Sequence, residues 1–129
     1  MTLRTPIVFG AIVLLGATLG ACQKSSTEGG AQTAGADVKH GEQIFMTTCA
    51  TCHGTDGTGV KGLGKGLVGS EFVHKASDDQ LVQMIMKGRD AKDPLNTTGV
   101  AMPPNGGNAA LGDKDLHDVV AYVRTLKAS

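Results

Sequence analysis

The chain has 129 residues, and its 12 basic and 12 acidic side chains give a formal net charge of zero. This length suits a single domain, and the balanced charge argues against nucleic-acid binding, which requires a marked excess of Lys and Arg. Aromatic residues are 3% of the chain and Trp is absent, so a core made of side chains alone would be small. We therefore expect something other than side chains to fill the middle of the fold.

The first 21 residues have the pattern of a signal peptide with a lipoprotein-type cleavage site. Arg4 precedes an uncharged apolar run, residues 7–19, and Leu-Gly-Ala then leads to Cys22. The run is shorter than the roughly 20 apolar residues that span a bilayer, which favours a cleaved leader over an uncleaved anchor helix. Both alternatives place the rest of the chain outside the cytoplasm. The sequence thus predicts a leader over 1–21 and a lipid on Cys22.

Residues 22–36 are predicted to form a lipidated, flexible tether, because small and polar residues dominate them and no apolar period is visible. The folded domain is assigned to residues 37–129. No strand is predicted there, so the expected fold class is all-α.

Apolar residues at helical spacing predict three main helices in that domain. The first covers residues 37–48, with one face formed by Val38, Gly41, Phe45 and Cys49. The second follows a capping box between Ser77 and Gln80, and its buried stripe is predicted to comprise Leu81, Val82, Ile85 and Met86. The third covers residues 113–127, with an apolar face of Leu116, Val119, Val120, Val123 and Leu126.

Two long irregular segments separate these helices. The glycine-rich segment 54–69 almost spells a phosphate-binding loop, but Gly66 stands where Ser or Thr is required and no strand precedes it. The segment 89–111 contains three prolines and a Gly-Gly pair. A long segment without regular structure in a small domain is usually functional.

The chemistry centres on CATCH at residues 49–53, a C-x-x-C-H sequence typical of covalent c-type haem attachment. Cys49 and Cys52 can reach the two vinyl groups of one porphyrin edge, and His53 is then held beneath the iron. A thioredoxin-like site would need a βαβ setting, and a zinc site would need two further ligands at recognisable spacing. One covalent haem and one lipid would use all three cysteines of the chain.

Met102 is the predicted second axial ligand of the iron. It lies in the sequence AMPPNGG at residues 101–107, outside any apolar periodic segment, and two prolines after it restrict the loop.

The other methionines are weaker candidates for the second axial ligand. Met84 and Met86 lie within an amphipathic helix and are interpreted as core residues, while Met46 is too near the attachment site. His74 and His117 are the rival ligands, although His117, beside acidic residues on the final helix, is expected to be solvated, as is His40 before the first helix.

These motifs resemble class I monohaem cytochromes c over residues 37–127, through CATCH, AMPPNGG and the closing LHDVVAYVRTL at 116–126. The resemblance implies a small all-α fold in which long loops wrap one haem, and it supports Met102 as the distal ligand. It also implies that Gly41 and Phe45 meet Tyr122 where the first and last helices cross. The family often has Gly-Pro-x-Leu where this chain has Gly-Lys-Gly-Leu at 64–67. We therefore expect the Lys65 carbonyl to accept a hydrogen bond from His53 Nδ1.

The predicted function is one-electron transfer without catalysis. His and Met together occupy both axial positions and raise the reduction potential, so the iron has no position for a substrate. The predicted protein is lipid-anchored to a membrane, facing the periplasm or the cell exterior, and exchanges electrons with redox proteins at that membrane. A haem peroxidase or a gas sensor is the alternative, and either would need an open or displaceable sixth position.

Overall fold

A computed structural model describes residues 35–127, so the predicted leader, Cys22 and most of the predicted tether lie outside the described residues. Within 35–127 the regular structure is helical, and the only β contacts are two isolated bridges. The all-α prediction is confirmed, although there are more helical segments than the three predicted. They are α1 (Val38–Ile44), a π-helical turn (Phe45–Cys49), α2 (Ala50–His53), α3 (Glu71–Lys75), α4 (Asp78–Lys87), a 3₁₀ turn (Pro104–Gly107) and α5 (Asp113–Thr125).

Residues 38–53 form one continuous helical run through α1, the π turn and α2. The Asp37 side chain caps its start by accepting hydrogen bonds from the backbone N–H groups of Lys39 and His40, both at 3.0 Å. The run ends at Gly54, whose φ of 78° suits glycine. The predicted end at Thr48 was therefore wrong, because the first strongly helix-ending residue comes only after the CATCH sequence.

The helical run 38–53 crosses α5 at close range. A Cβ atom on Gly41 would overlap the backbone carbonyl of Asp118, so only glycine permits this approach. One turn further on, the rings of Phe45 and Tyr122 pack with centroids 5.3 Å apart and an interplanar angle of 53°. The predicted crossing is confirmed. Val38 is 42% exposed and does not belong to the buried face.

Helix α4 begins at the predicted capping box. Ser77 Oγ accepts from Gln80 N at 3.2 Å, and Gln80 Oε1 accepts from Ser77 N at 2.8 Å. Its buried side chains join one core cluster with residues of α3 and α5, namely Val73, Leu81, Val82, Leu116 and Val120. Met86 is 41% exposed, so its assignment to the buried stripe was wrong. It follows Ile85 by one residue and is therefore turned about 100° away around the helix.

Helix α3 was not predicted. Five residues are too few to show an apolar period. Ser70 caps its start through a hydrogen bond from Val73 N to Ser70 Oγ. Its end is bound by Arg124 of α5, whose guanidinium donates to the carbonyls of Val73 and Ala76. A short helix of this kind depends on tertiary contacts rather than on local propensity.

Candidate haem-binding site

The CATCH residues lie at the C-terminal end of the helical run. Cys49 and Cys52 are both half-buried and both carry free thiols. Burial, followed by the neighbouring Cys52, raises the pKa of the Cys49 thiol to about 11. Cys49 is therefore a neutral thiol in the folded chain at neutral pH. The π turn immediately before Ala50 adds a residue to the helical turn that carries Cys49.

A single hydrogen bond selects the tautomer of the neutral His53 ring. Its Nδ1 lies 2.7 Å from the carbonyl oxygen of Lys65. A carbonyl oxygen can only accept, so Nδ1 carries the proton and donates, which leaves the lone pair on Nε2 for a metal. The expectation that Lys65 supplies this acceptor in place of proline is confirmed. Such a bond to the remote ring nitrogen also orients the imidazole and raises its basicity.

The glycine-rich segment packs its backbone directly against α2. Gly59 N donates to the His53 carbonyl at 2.7 Å, and Val60 N donates to the Cys52 carbonyl at 3.1 Å. A Cβ on Gly64 would overlap the Cys52 backbone, and one on Gly66 would overlap the Thr58 carbonyl. The glycines therefore serve close packing around the CATCH residues. This agrees with rejecting the phosphate-loop interpretation.

One largely apolar cavity of about 380 Å³ opens between the helical run, the glycine-rich segment and the segment after α4. Its wall includes Cys49, Cys52, His53 and Met102. Two thiols, an imidazole with a free Nε2 and a thioether are the donor set of a covalently attached, axially ligated haem. The residues present therefore fit that group: the thiols would form thioethers, and His53 would supply one axial nitrogen.

Met102 is held by a pair of backbone hydrogen bonds to Arg89, the second residue after helix α4. Arg89 N donates to the Met102 carbonyl at 2.8 Å, and Met102 N donates to the Arg89 carbonyl at 2.9 Å. Gly88 makes this approach possible, since a Cβ there would overlap the Met102 carbonyl. Met84 also lines the cavity. Its interpretation as a core residue is therefore incomplete, and a second thioether faces the same space.

The rival histidines lie away from the cavity wall in the described part of the chain. His117 Nδ1 faces the Asp113 carbonyl at 2.9 Å, and its Nε2 faces Asp79 Oδ1 at 3.3 Å. His40 bonds to Asp118 at 2.9 Å, and His74 is exposed on α3. None of the three lines the cavity that contains Met102.

Asp118 is a buried charge that the sequence interpretation missed. Its side chain is 0% exposed and accepts hydrogen bonds from Asp37 N at 2.7 Å, His40 Nδ1 at 2.9 Å and Lys114 Nζ at 2.7 Å. Burial alone raises the pKa of this carboxyl, but the three donors outweigh it and lower the pKa to about 2. Its position four residues before Tyr122, on the same helix face, was the available signal.

The family comparison agrees with this geometry. The family model for cytochrome c matches residues 38–127. The chain belongs to the cytochrome c family. Members of this family bind haem c covalently.

Two curated relatives are subunits of larger oxidoreductases. The chain is 33% identical over 89 residues to the "Cbb3-type cytochrome c oxidase subunit CcoP" of Rubrivivax gelatinosus, covering 69% of this chain and 26% of that protein. It is 30% identical over 84 residues to the "Alcohol dehydrogenase (quinone), cytochrome c subunit" of Gluconobacter oxydans (strain 621H), covering 65% of this chain and 17% of that protein. The chain thus spans about a quarter or less of the length of these relatives.

A solved structure of similar fold is cytochrome CL from Methylophaga aminisulfidivorans. It aligns with a TM-score of 0.53 and 22% identity, covering 88% of this chain and 77% of that one. This likeness supports the fold alone. Across residues 35–127, no helix has both the length and the apolar character needed to cross a membrane.

Proposed function

We propose that the protein is an exported, lipid-tethered carrier of single electrons whose haem iron is bound by His53 and Met102. The observation that carries the proposal is a largely apolar cavity lined by both cysteines of CATCH, His53 and Met102. The haem supplies the one-electron chemistry. Cys49 and Cys52 would attach the group, Lys65 orients His53, and the largely apolar wall of the cavity would surround the haem.

The choice of Met102 over Met84 rests on their backbones. Met84 is in the middle of α4, between core residues that fix the helix on α5. Met102 lies in irregular chain, where the backbone can adopt the position that the ligand requires. Both side chains line the cavity, so exchanging each for alanine is the deciding comparison.

Met102→Ala should keep the haem, because attachment depends on Cys49, Cys52 and His53. It should lower the reduction potential, remove the weak red charge-transfer band of methionine-ligated ferric haem and open the ferrous iron to carbon monoxide. Met84→Ala should leave the band and the potential in place and should only reduce stability. Loss of the band in Met84→Ala but not in Met102→Ala would show that the ligand assignment is wrong.

The non-catalytic role is tested on the unmutated protein. With both axial positions occupied, the ferrous protein should bind carbon monoxide slowly or not at all. Ready binding would contradict a pure electron carrier and favour the peroxidase or sensor alternative.

The lipid tether is proposed from the sequence at the leader boundary. A cleaved leader would leave Cys22 as the first residue, and acyl chains there would each contribute about 0.8 kcal/mol of membrane affinity per buried CH₂. The names of the curated relatives, an oxidase subunit and a quinone-dependent dehydrogenase subunit, support redox proteins at a membrane as the partners. Mass spectrometry should find a diacylglyceryl cysteine at the mature N-terminus. An unmodified Cys22, or cleavage elsewhere, would remove this part of the proposal.

A further inference from the structure

Residues 89–102, here called the distal loop, leave the end of α4 and return to it. Their first and last residues are joined by the paired backbone hydrogen bonds between Arg89 and Met102. Most residues from Pro94 to Met102 line the haem cavity. The described chain has no helix or strand between these two ends. The position of Met102 therefore depends on how the inside of the loop is held.

Asn96 makes five side-chain hydrogen bonds, all within the distal loop. Its Oδ1 accepts from Thr98 N at 3.0 Å, from Thr98 Oγ1 at 3.1 Å and from Gly99 N at 3.0 Å. Its Nδ2 donates to the Asp90 carbonyl at 3.0 Å and to the Val100 carbonyl at 2.7 Å. Both amide protons and the acceptor oxygen are therefore fully engaged.

The two bonds from Nδ2 connect opposite sides of the loop. Asp90 directly follows Arg89, and Val100 precedes Met102 by two residues. The Asn96 amide therefore joins the outgoing and the returning segment of the loop close to the Arg89–Met102 pair. Without this link, the outgoing and returning segments share only that pair at their ends. The other hydrogen bonds inside the loop, such as Asp93 N to the Asp90 carbonyl and Asn96 N to the Asp93 carbonyl, are local and do not join the two segments. Loss of the Nδ2 link would therefore increase the number of conformations accessible to the loop.

We infer that Asn96 is a positioning residue for Met102, which keeps the thioether on the haem iron and so keeps other ligands off it. The inference rests on the proposed His53 and Met102 ligation. Asn96 acts through the backbone of the distal loop and need not touch the iron. The chemical step it controls is dissociation and return of the Met102 sulfur, with no change in oxidation state.

The test is ligand exchange in the ferric holoprotein with imidazole as the probe. At saturating imidazole, the observed rate equals the rate at which the Met102 sulfur leaves the iron. Asn96→Ala should raise this rate roughly tenfold, since it removes hydrogen bonds whose net values are modest individually, while the haem stays attached. Asn96→Asp keeps the acceptor oxygen but loses both Nδ2 donors, so it should show most of the same increase.

The matched control is Asn108→Ala. Asn108 lies in the same irregular stretch, outside the distal loop and the cavity wall, and its side chain makes one hydrogen bond, to Ala110 N at 3.1 Å. Its exchange rate should equal that of the unmutated protein. If Asn96→Ala does not fold, Thr98→Val provides the second variant. It removes the Oγ1 bond to Asn96 Oδ1 and the bonds between Oγ1 and the Val100 backbone, leaves both Nδ2 bonds in place, and should raise the rate by a smaller factor.

The outcomes separate the two proposals. If the unmutated ferric protein has the methionine charge-transfer band but the Asn96 variants exchange no faster than Asn108→Ala, the inference about Asn96 is wrong and the ligation stands. If the unmutated protein lacks the band, the proposed ligation fails first. Faster exchange with an unchanged thermal unfolding midpoint would establish a positioning role that general destabilisation does not explain.

Discussion

At the scale of single residues, Asp118 attaches the start of the domain to α5 through hydrogen bonds. It is a carboxylate with no solvent exposure, and its three donors come from Asp37, His40 and Lys114. A buried charge is tolerated only when it is paired and hydrogen-bonded. Asp37, which caps the helical run, is thereby attached to the last helix, 81 positions later.

Asp118→Asn should lower the free energy of unfolding at neutral pH by about 1.5–3 kcal/mol, because hydrogen bonds to a charged group become neutral ones. The folded-state pKa of about 2 lies below the unfolded value of about 3.9, so its stabilisation is present above about pH 4 and is lost as the pH falls through 2. Denaturant unfolding from pH 2 to 7 should show this loss in the unmutated protein and a flatter profile in the variant. The exposed Glu42→Gln on the same helix pair should keep the original profile.

The residues of the haem site were largely predictable because their chemistry fixes their spacing. CATCH specifies three groups in five positions, and the Lys65 carbonyl was expected from the resemblance, because Lys65 stands where the family often has the proline of Gly-Pro-x-Leu. Met84 was harder to interpret. Helical periodicity shows which face of α4 is apolar but not whether that face meets side chains or a cavity. The hydrogen bonds of Asn96 leave no such pattern, since asparagine in a loop is common.

At the scale of elements, the crossing of α1 and α5 depends on the absence of a side chain at Gly41. Its Cβ would meet the backbone carbonyl of Asp118, which cannot rotate away as a side chain could. The helices would have to separate, and the Phe45–Tyr122 ring contact one turn away would separate with them.

Gly41→Ala should therefore cost about 1–3 kcal/mol or more, the range seen for overpacked cores, and should reduce the yield of holoprotein. Thermal unfolding monitored by circular dichroism would measure the cost. Gly112→Ala is the control, because Gly112 has a φ of −89° and its Cβ would meet only Asp115 Oδ2, at 3.7 Å. Equal losses of thermal stability in Gly41→Ala and Gly112→Ala would contradict the steric explanation.

The contact between His117 of α5 and Asp79 of α4 is a weaker, pH-dependent link between these helices. The hydrogen bond to the Asp113 carbonyl, followed by the one to Asp79, raises the pKa of His117. A raised histidine pKa contributes stability that is present below the unfolded value of about 6.5 and is lost as the pH rises through the folded value. We expect this loss to stay below about 1 kcal/mol, as for other surface ion pairs. His117→Gln should abolish it in unfolding curves between pH 6 and 8, whereas His74→Gln should not.

Element boundaries were predictable where local chemistry sets them. The Ser77–Gln80 capping box and the start of α5 are local signals, and both appear in the structure. Helix α3 has its end bound by Arg124, about 50 residues away in sequence, and no local pattern reports such a partner. Met86 was misassigned because the buried stripe of α4 is narrower than its run of apolar residues.

At the scale of the whole molecule, two small clusters form the core: five side chains of α3, α4 and α5, and the group of Phe45, Ala50 and Tyr122. The haem cavity adjoins both, since Val73 and Cys49, which pack in or against these clusters, also line it. A domain of this size is marginal without further stabilisation.

The doubly substituted Cys49→Ala, Cys52→Ala chain should therefore lose most of its helical signal when no haem is bound. Binding of a group to the folded state alone stabilises that state, and removing the attachment removes this contribution. Circular dichroism and denaturant titration of the apoprotein provide the measurement. An apoprotein with unchanged helicity and unfolding midpoint would show that the side-chain clusters suffice.

The contacts of Asp37 and Gly41 with α5 also determine when the first helix can pack during folding. The first helix finds its packing partner only when the last helix exists, so closure of this loop, one of the longest in the domain, cannot precede completion of the chain. If the chain is exported with its N-terminus first, as proposed, CATCH lies on an unpacked segment until the final residues arrive. During that interval both thiols are more exposed than in the folded domain, where each is half-buried.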